Sequence, residues 1–151
     1  MGSNPIHCVT VVVVSCSMAD TTFKGEEATL RAILRVIELG GQPSRPVMEG
    51  GRYDLVLDLA GTLWKVQVKY AGQAKSGAIK IVTSSTACRG KRGKKYEDYE
   101  VDFILAYSPV TDKIYKLPPE VWRGKNYVYL RYKPAKNNQK SGCFNAEDFE
   151  W

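Results

Sequence analysis

Two runs of alternating apolar and polar residues, separated only by a short turn, constrain the fold of this chain most strongly. The first run covers residues 53–59 and the second covers residues 63–70, with Ala60-Gly61-Thr62 between them. Alternation of this kind predicts strands, and the short glycine-containing link predicts that they form one antiparallel hairpin.

The predicted hairpin brings three polar side chains together. Asp54 stands early in the first strand, while Gln67 and Lys69 stand late in the second, so antiparallel pairing sets them close to one another. Because side chains alternate between the two faces of a strand, Gln67 and Lys69 share a face and Val68 points to the other. We therefore expect a carboxylate, a carboxamide and an ammonium group at one end of the hairpin.

A long helix precedes the hairpin and further strands follow it. We expect the helix at residues 24–39, with Thr21 or Thr22 as its N-cap and Gly40-Gly41 at its end. Further strands are predicted at residues 42–48, 79–84, 101–107, 114–117 and 127–132, with a basic loop or short helix at 86–100, turns at 118–122 and 146–149 and a loop at 137–142. The residues expected to face the core from the helix are Ala28, Leu30, Ile33, Leu34 and Ile37. This order predicts an α/β fold with one mixed sheet and one long helix packed on it.

Length and charge favour a single domain that binds a polyanion. The 151 residues are 44% apolar and 25% charged, which suits one globular domain, placed here at residues 18–151. The net charge is +6, and residues 60–96 contain nine basic residues and no acidic one. Such a segregated positive segment favours contact with nucleic-acid phosphates. The candidate DNA-binding residues are Lys75, Lys80, Ser84, Ser85, Arg89, Lys91, Arg92, Lys94 and Lys95.

The sequence carries no zinc-site pattern and no membrane segment. Cys8, Cys16, Cys88 and Cys143 lack Cys-x-x-Cys spacing, and His7 is the single histidine, so no zinc site of a usual pattern can form. We expect reduced thiols in a cytoplasmic protein. The apolar run at residues 9–14 is too short to span a bilayer and follows no Lys or Arg, so neither a signal peptide nor an anchor is expected.

The first 17 residues differ in character from the rest of the chain. Gly2-Ser3-Asn4-Pro5-Ile6 is the peptide that the codons GGT-TCG-AAT-CCC-ATC would give, and that nucleotide string contains the T-arm sequence of a tRNA gene. One hypothesis is that Met18 is the true start and that residues 1–17 are an extension outside the core. The alternative, with equal weight, is an edge strand at residues 9–14. The first hypothesis places the gene inside an intron of a tRNA gene.

Asp54, followed after 12 residues by Gln67-Val68-Lys69, resembles the PD-(D/E)XK nuclease motif with glutamine in place of the middle acid. The resemblance extends upstream to Gly25-Glu26-Glu27-Ala28 at the helix start and downstream to the strand at residues 101–107. The chain is similar to the small PD-(D/E)XK endonucleases that include the group I intron homing endonucleases. That resemblance implies a restriction-endonuclease-like αβββαβ core and metal-dependent cleavage of double-stranded DNA. Together with the hypothesis on residues 1–17, it predicts a target in a tRNA gene.

The resemblance also implies a role for each polar residue of the hairpin. Asp54 would be the central carboxylate ligand of Mg²⁺ or Mn²⁺, with the amide oxygen of Gln67 and the backbone carbonyl of Val68 as further ligands. Lys69 would orient or help deprotonate the attacking water and stabilise charge on the phosphorane oxygens.

Gln67 brings one negative charge fewer than the acid it replaces, so another acid is expected to compensate. Glu26 is the candidate, by its match to the glutamate at the helix start of the family, and the adjacent Glu27 stays open as an alternative. Asp58 is expected to be a solvated strand residue near the turn rather than a second metal ligand.

Two other functions stay open. A Holliday-junction resolvase shares the helix, the aspartate and the x-Lys arrangement, and a catalytically inactive DNA-binding module would explain the loss of the acid at Gln67. Signatures of the LAGLIDADG, GIY-YIG and His-Asn-His homing nucleases are absent from the sequence. Double-strand cutting requires two active sites, and homing enzymes of this family resemble dimers or tetramers, so a homodimer or homotetramer is expected. The cluster Asn137-Asn138-Gln139-Lys140 is a candidate for base readout.

Overall fold

The computed structural model describes residues 20–48, 50–85, 94–97, 99–134 and 142–151, apart from the side chains of residues 73 and 74. The predictions for residues 1–17, for Arg89, Lys91 and Arg92, and for the cluster at residues 137–140 lie outside these ranges. In chain order the elements are α1 (Asp20–Glu38), β1 (Gln42–Ser44), β2 (Leu55–Leu59), β3 (Thr62–Tyr70), β4 (Gln73–Lys75), β5 (Ala78–Val82), β6 (Phe103–Ser108), β7 (Lys113–Leu117), α2 (Pro119–Trp122), β8 (Tyr127–Arg131), β9 (Phe144–Asn145) and a terminal 3-10 helix (Ala146–Phe149).

The strands form two sheets. The first sheet has the order β1-β2-β3-β6-β7, in which β3 and β6 run parallel and the other pairs run antiparallel. The second sheet has the order β4-β5-β8-β9, with only β8 and β9 parallel. The expected α/β class, with mixed pairing and a long N-terminal helix, is confirmed. The expectation of a single sheet is wrong, because alternation identifies strands but not their partners.

Several predicted boundaries change. The strand predicted at residues 42–48 is only three residues long, since Pro43 and Pro46 lack the N–H that a strand ladder needs. Between β3 and β6, where the αβββαβ order has a second helix, the residues that the structure describes form the β4–β5 hairpin and a bridge between Ser84 and Lys95. Residues 86–93 and 98, where a basic loop or short helix is predicted, lie outside the described ranges.

Helix α1 turns a different face to the core than its apolar pattern predicts. It begins at Asp20, so Thr21 and Thr22 lie inside the helix rather than capping it. Its buried residues are Ala28, Thr29, Ala32 and Val36, and Ile33 is partly buried. The predicted core residues Leu30, Leu34 and Ile37 are 54%, 53% and 56% exposed. Small alanines let the helix approach the sheet closely, and the larger aliphatic side chains are left on the opposite side.

Two cores lie on the two sides of the first sheet. One core joins α1 to β2, β3 and β6, and the other lies between the two sheets and includes Trp122 of α2. Strand β6 divides its residues between them, with Phe103 and Leu105 toward α1 and Ile104 toward the second sheet. Since β6 pairs in register with β3, the same alternation sets Val66 and Val68 toward α1. Gln67 and Lys69 therefore face the side of the second sheet.

The turn between β2 and β3 fixes the register of these side chains. Ala60 and Gly61 both have positive φ, 54° and 80°, as a two-residue type I′ turn requires. The carboxylate of Asp58 accepts a hydrogen bond of 2.9 Å from the Gly61 N–H. The Asp58 side chain thus stabilises the turn.

This turn generates a stability prediction. Alanine is strained at positive φ, whereas asparagine before glycine is favoured in type I′ turns. We expect Ala60→Asn to raise the free energy of unfolding by about 0.5 to 1 kcal/mol, measured by urea denaturation. Ala60→Val is the matched control and is expected to lower it, because a β-branched side chain fits this conformation worst. Equal destabilisation by both substitutions would contradict the turn assignment.

Candidate active site

Asp54 connects the start of β2 to the end of β3. Its backbone N–H donates to the Val66 carbonyl at 2.9 Å, which extends the β2–β3 ladder by one residue. Its carboxylate oxygen Oδ2 accepts a 2.9 Å hydrogen bond from the Val68 N–H and a second, short one from Nε2 of Gln67. The carboxylate is thereby held against the strand that carries both other polar residues of the predicted site.

The carboxamide of Gln67 bridges two oxygens. The side chain is only 8% exposed, and its Nε2 donates to the Val68 carbonyl at 3.3 Å as well as to Asp54. The Asp54 carboxylate and the Val68 carbonyl thus converge on one positively polarised group. Carboxylate, carbonyl and amide oxygens are the ligands that hard divalent cations prefer.

These oxygen atoms suit a divalent cation that binds through few carboxylates. In the described parts of the chain, no three His, Cys, Asp or Glu side chains cluster as a metal site. Magnesium does not require such a cluster, since it binds through one or two carboxylates and keeps several waters. The residues that could hold it are Asp54, Gln67 and the backbone carbonyl of Val68.

Lys69 is held by the segment that follows β5. Its Nζ donates to the Ser84 carbonyl at 3.2 Å and to the Tyr96 hydroxyl at 2.9 Å, and it lies 5.3 Å from the centroid of the Tyr96 ring. The Arg52 guanidinium lies 4.6 Å from the same centroid, and it forms an ion pair of 2.9 Å with Glu100. Arg52 and Glu100 therefore fix the ring that positions the lysine.

Burial shifts both charged groups of the site toward their neutral forms. It raises the pKa of Asp54 above its ordinary value, and the Val68 N–H, the charge of Lys69 and the Gln67 amide offset only part of that rise. It also lowers the pKa of Lys69 to about 8, although the charge of Asp54 opposes the change. Burial and the charge of Asp54 raise the pKa of Tyr96, so its hydroxyl stays protonated. A cation beside Asp54 would stabilise the ionised carboxylate.

An open cleft of about 730 Å³ gives access to this site. Asp54, Gln67, Val68 and Lys69 line it, together with Glu26 and other residues of the first turns of α1. Glu26 accepts a 2.8 Å hydrogen bond from Arg45 and is directed to that residue. The candidates Glu26 and Glu27 are distinguished by position, because Glu27 is not among the residues that line this cleft.

The predicted DNA-binding residues that the structure describes form two groups, of which only the first lies at the cleft. Ser84 and Ser85 line it directly, and the Ser85 hydroxyl bonds to the backbone of Lys94. Lys94 and Lys95 are exposed next to this segment. Lys75 and Lys80 lie instead on the second sheet, on β4 and β5.

The sequence reasoning missed Tyr96 and Arg52 as parts of the site. Nothing in the neighbours of Tyr96 along the chain distinguishes it from the other tyrosines. Arg52 stands two residues before Asp54, which is the one local signal of its place. Their contacts with Lys69 arise only when residues 52, 69 and 96 are brought together by the fold.

Two comparisons with known proteins find similarity over most of the chain. The model of the PD-(D/E)XK endonuclease family matches residues 19–151. The chain is similar to the solved structure of a bacterial homing endonuclease, I-Ssp6803I, with a TM-score of 0.69 and 25% identity, covering 87% of this chain and 89% of that chain. No curated protein matches the sequence. Among the described helices, none has the length and apolar character needed to cross a membrane.

The environment of Lys69 predicts its titration. We expect the Lys69 amine to titrate with a midpoint near 8 in metal-free protein, followed by NMR of lysine side chains labelled at Cε. Asp54→Asn removes the negative charge that raises this pKa, so the midpoint is expected to fall. Arg52→Gln removes a positive charge that lowers it, so the midpoint is expected to rise. Shifts in the same direction for both variants would contradict the assigned contacts.

Proposed function

Because this chain belongs to the PD-(D/E)XK endonuclease family, we propose that it hydrolyses phosphodiester bonds of double-stranded DNA with a divalent cation, Mg²⁺ or Mn²⁺. We propose further that it is a homing endonuclease of the group I intron kind whose target lies in a tRNA gene. The similarity to a bacterial homing endonuclease supports the proposal that this chain is a homing endonuclease. The tRNA-gene target is supported by residues 2–6, whose amino acids are those that codons containing a tRNA T-arm sequence would encode.

The observation that carries the proposal is the convergence of Asp54 and Gln67 in one cleft with Lys69. The carboxylate and the carboxamide are hydrogen-bonded to each other, and the lysine lies close enough for its charge and that of Asp54 to shift one another's pKa. A phosphodiester enters a site of this kind through its anionic oxygens, which the surrounding basic segment attracts. The arrangement suits attack of water on phosphorus.

Each residue has a proposed role in that reaction. Asp54, Gln67 and the Val68 carbonyl would hold the cation, which would supply Lewis-acid stabilisation of charge on the phosphate. A half-turn of the Gln67 carboxamide places its oxygen where its nitrogen now bridges Asp54 and Val68. Lys69, whose pKa is about 8, is proposed to take a proton from the attacking water in its neutral amine form, and the ammonium group so formed donates a hydrogen bond to a phosphate oxygen.

Glu26 is proposed to supply the acid that Gln67 lacks. It lines the same cleft as Asp54, and its partner Arg45 is half-exposed and long enough to follow a phosphate instead. With Arg45 on a phosphate, Glu26 would be free to serve as a further ligand of the cation. The basic residues Arg89, Lys91, Arg92, Lys94 and Lys95, together with Ser84 and Ser85, are proposed to contact the DNA backbone.

Substitutions at the site test the proposed chemistry. In Mg²⁺ we expect Asp54→Asn and Lys69→Ala to slow cleavage by about 100-fold or more, because the cation ligand and the proton-transfer group are lost. DNA binding, measured by fluorescence anisotropy in Ca²⁺, is expected to persist in both variants. Asp58→Asn is the matched control, since it changes an aspartate of the same strand that only bonds to the turn.

The substrates for this assay are a plasmid carrying the intronless tRNA gene, the same plasmid without it, and a four-way DNA junction. Cleavage at the tRNA gene in preference to the other two supports the homing function. Preferential cleavage of the junction would identify a resolvase. Metal-independent binding with no cleavage of any substrate would identify an inactive DNA-binding module and overturn the proposal.

We propose that two copies of this chain associate through the outer face of α1, defined by Phe23, Leu30, Leu34 and Ile37. These side chains are between 50% and 56% exposed. With Glu27 they recur at alternating spacings of four and three residues, the spacing by which two helices pack together. Such a face costs solubility unless it is covered.

A second copy suits this face better than another partner. Glu27 precedes Arg31 by one turn, so two helices packed antiparallel around Leu30 set the acid of one beside the base of the other. Each chain has one candidate site, and cutting both strands of a duplex needs two sites related by a two-fold axis. A homodimer, or a homotetramer built from two such dimers, meets both requirements.

Analytical ultracentrifugation tests this association. We expect the parent chain to sediment as a dimer or tetramer at micromolar concentration, and the double variant Leu30→Asn/Leu34→Asn to sediment as a monomer that keeps its circular dichroism spectrum. Val110→Asn is the control, because Val110 is 44% exposed but lies outside α1. An unchanged assembly in the double variant would show that another surface holds the copies together.

A further inference from the structure

The second sheet has one buried face and one solvent-facing face, and the latter differs from the rest of the surface. Ile79 and Ile81 of β5, with Val128 and Leu130 of β8, are buried in the core between the sheets. Because side chains alternate along a strand, the residues between them point outward. The outer sheet face, as we define it, consists of Lys75, Lys80, Val82, Tyr127, Tyr129 and Arg131.

Cross-strand register sets these residues side by side. Lys80 is opposite Tyr129 and Val82 is opposite Tyr127, in adjacent antiparallel strands. The Nζ of Lys80 lies 4.9 Å from the ring centroid of Tyr127, and the rings of Tyr127 and Tyr129 meet edge to face at 5.6 Å. In the part of the chain that the structure describes, no carboxylate forms an ion pair with Lys75 or Lys80. The face thus combines unpaired ammonium groups with tyrosines.

The outer sheet face is continuous with the active-site cleft. Val82 lines the cleft that contains Asp54 and Lys69, and it is 46% exposed. Lys80 follows on the same side of β5, about 7 Å away at the rise of a strand. A duplex whose backbone enters the cleft therefore presents its adjacent groove to this face.

The dimensions of the face suit the major groove of DNA. The antiparallel strands β4, β5 and β8 span two inter-strand spacings, about 10 Å, and the major groove is about 12 Å wide and admits β-strands. Ammonium groups can bond to guanine O6 and N7, a tyrosine hydroxyl can donate or accept, and Val82 can contact a thymine methyl group. A docking protein with an apolar surface would find no matching apolar patch here.

Arg131 takes a supporting part in this face. Its guanidinium donates to the Ser76 carbonyl at 3.3 Å, across the turn that joins β4 to β5. That contact holds the end of the hairpin against β8. The polar residues left to reach bases are Lys75, Lys80 and Tyr129, beside the apolar Val82.

We propose that the outer sheet face enters the major groove beside the scissile phosphate and reads base edges there, with Lys80 and Tyr129 at its centre. This proposal rests on the proposed nuclease function and adds to it the surface that selects the target. It assigns Lys75 and Lys80 to base recognition, whereas the basic segment after β5 contacts only the backbone.

A randomised DNA library tests the proposal. Duplexes with random bases around a fixed centre are selected by binding to the cleavage-deficient Asp54→Asn protein, and the bound fraction is sequenced. In the Tyr129→Phe and Lys80→Ala backgrounds we expect the preference at one to three neighbouring positions to fall by roughly 10- to 100-fold. Preferences at the remaining positions are expected to stay as they are, because each side chain reaches only adjacent base pairs.

Lys116→Ala is the matched control. Lys116 lies on β7 of the first sheet and makes the same kind of contact, with its Nζ 4.3 Å from the Phe103 ring centroid, yet it is not part of the outer sheet face. Tyr129→Phe changes one hydroxyl and preserves packing, so a folding defect cannot account for its effect.

The outcomes separate this proposal from the proposed function. Loss of preference at discrete positions supports base readout. This holds whether or not the protein that retains Asp54 cleaves the selected sequences. Uniform weakening at every position, with a shallower dependence on salt, would show that Lys80 contacts only the backbone and would overturn the proposal. If the unsubstituted protein cuts the selected sequence with neither Mg²⁺ nor Mn²⁺, the proposed nuclease function would be overturned, and the base readout would stand.

Discussion

The candidate site depends on one polar connection between two strands, the hydrogen bonds by which the Asp54 carboxylate accepts the Val68 N–H and the Gln67 amide. The connection lies where charge is costly, as the raised pKa of Asp54 and the lowered pKa of Lys69 indicate. It also depends on register. A slip of one residue between β2 and β3 would turn Gln67 and Lys69 into the core beneath α1. The type I′ turn fixes the register at one end of the hairpin, and so it determines which side chains reach the site at the other end.

The parts of the site that could be predicted are those encoded locally. Period-two alternation and a two-residue turn suffice to set Asp54 near Gln67, because an antiparallel hairpin leaves little freedom in which residues face each other. The position of Glu26 near the start of a helix follows from the same kind of local pattern. The fold class is predictable for a similar reason, since a helical run followed by alternating runs restricts the possible layers.

The rest depends on contacts between distant segments. The face that α1 buries could not be read from residue size, because Ala28 and Ala32 pack closely on the sheet while Leu30 and Leu34 remain outside. The division into two sheets, and the approach of Tyr96 to Lys69, likewise arise from pairings across long stretches of chain. These non-local features are also the ones that give the molecule its two unusual surfaces, the apolar outer face of α1 and the basic, tyrosine-containing face of the second sheet.

The central proposal is that the Asp54 carboxylate and the Val68 carbonyl, which both accept from the Gln67 amide nitrogen in the structure, would together with the Gln67 carboxamide oxygen hold a divalent cation. The most direct measurement is anomalous X-ray diffraction from crystals of the protein with duplex DNA and Mn²⁺. We predict an anomalous peak within coordination distance of both oxygens, with the Gln67 carboxamide turned so that its oxygen faces the ion. A peak elsewhere on the protein, with Asp54 still bonded to Gln67 as it is in the free chain, would contradict the account.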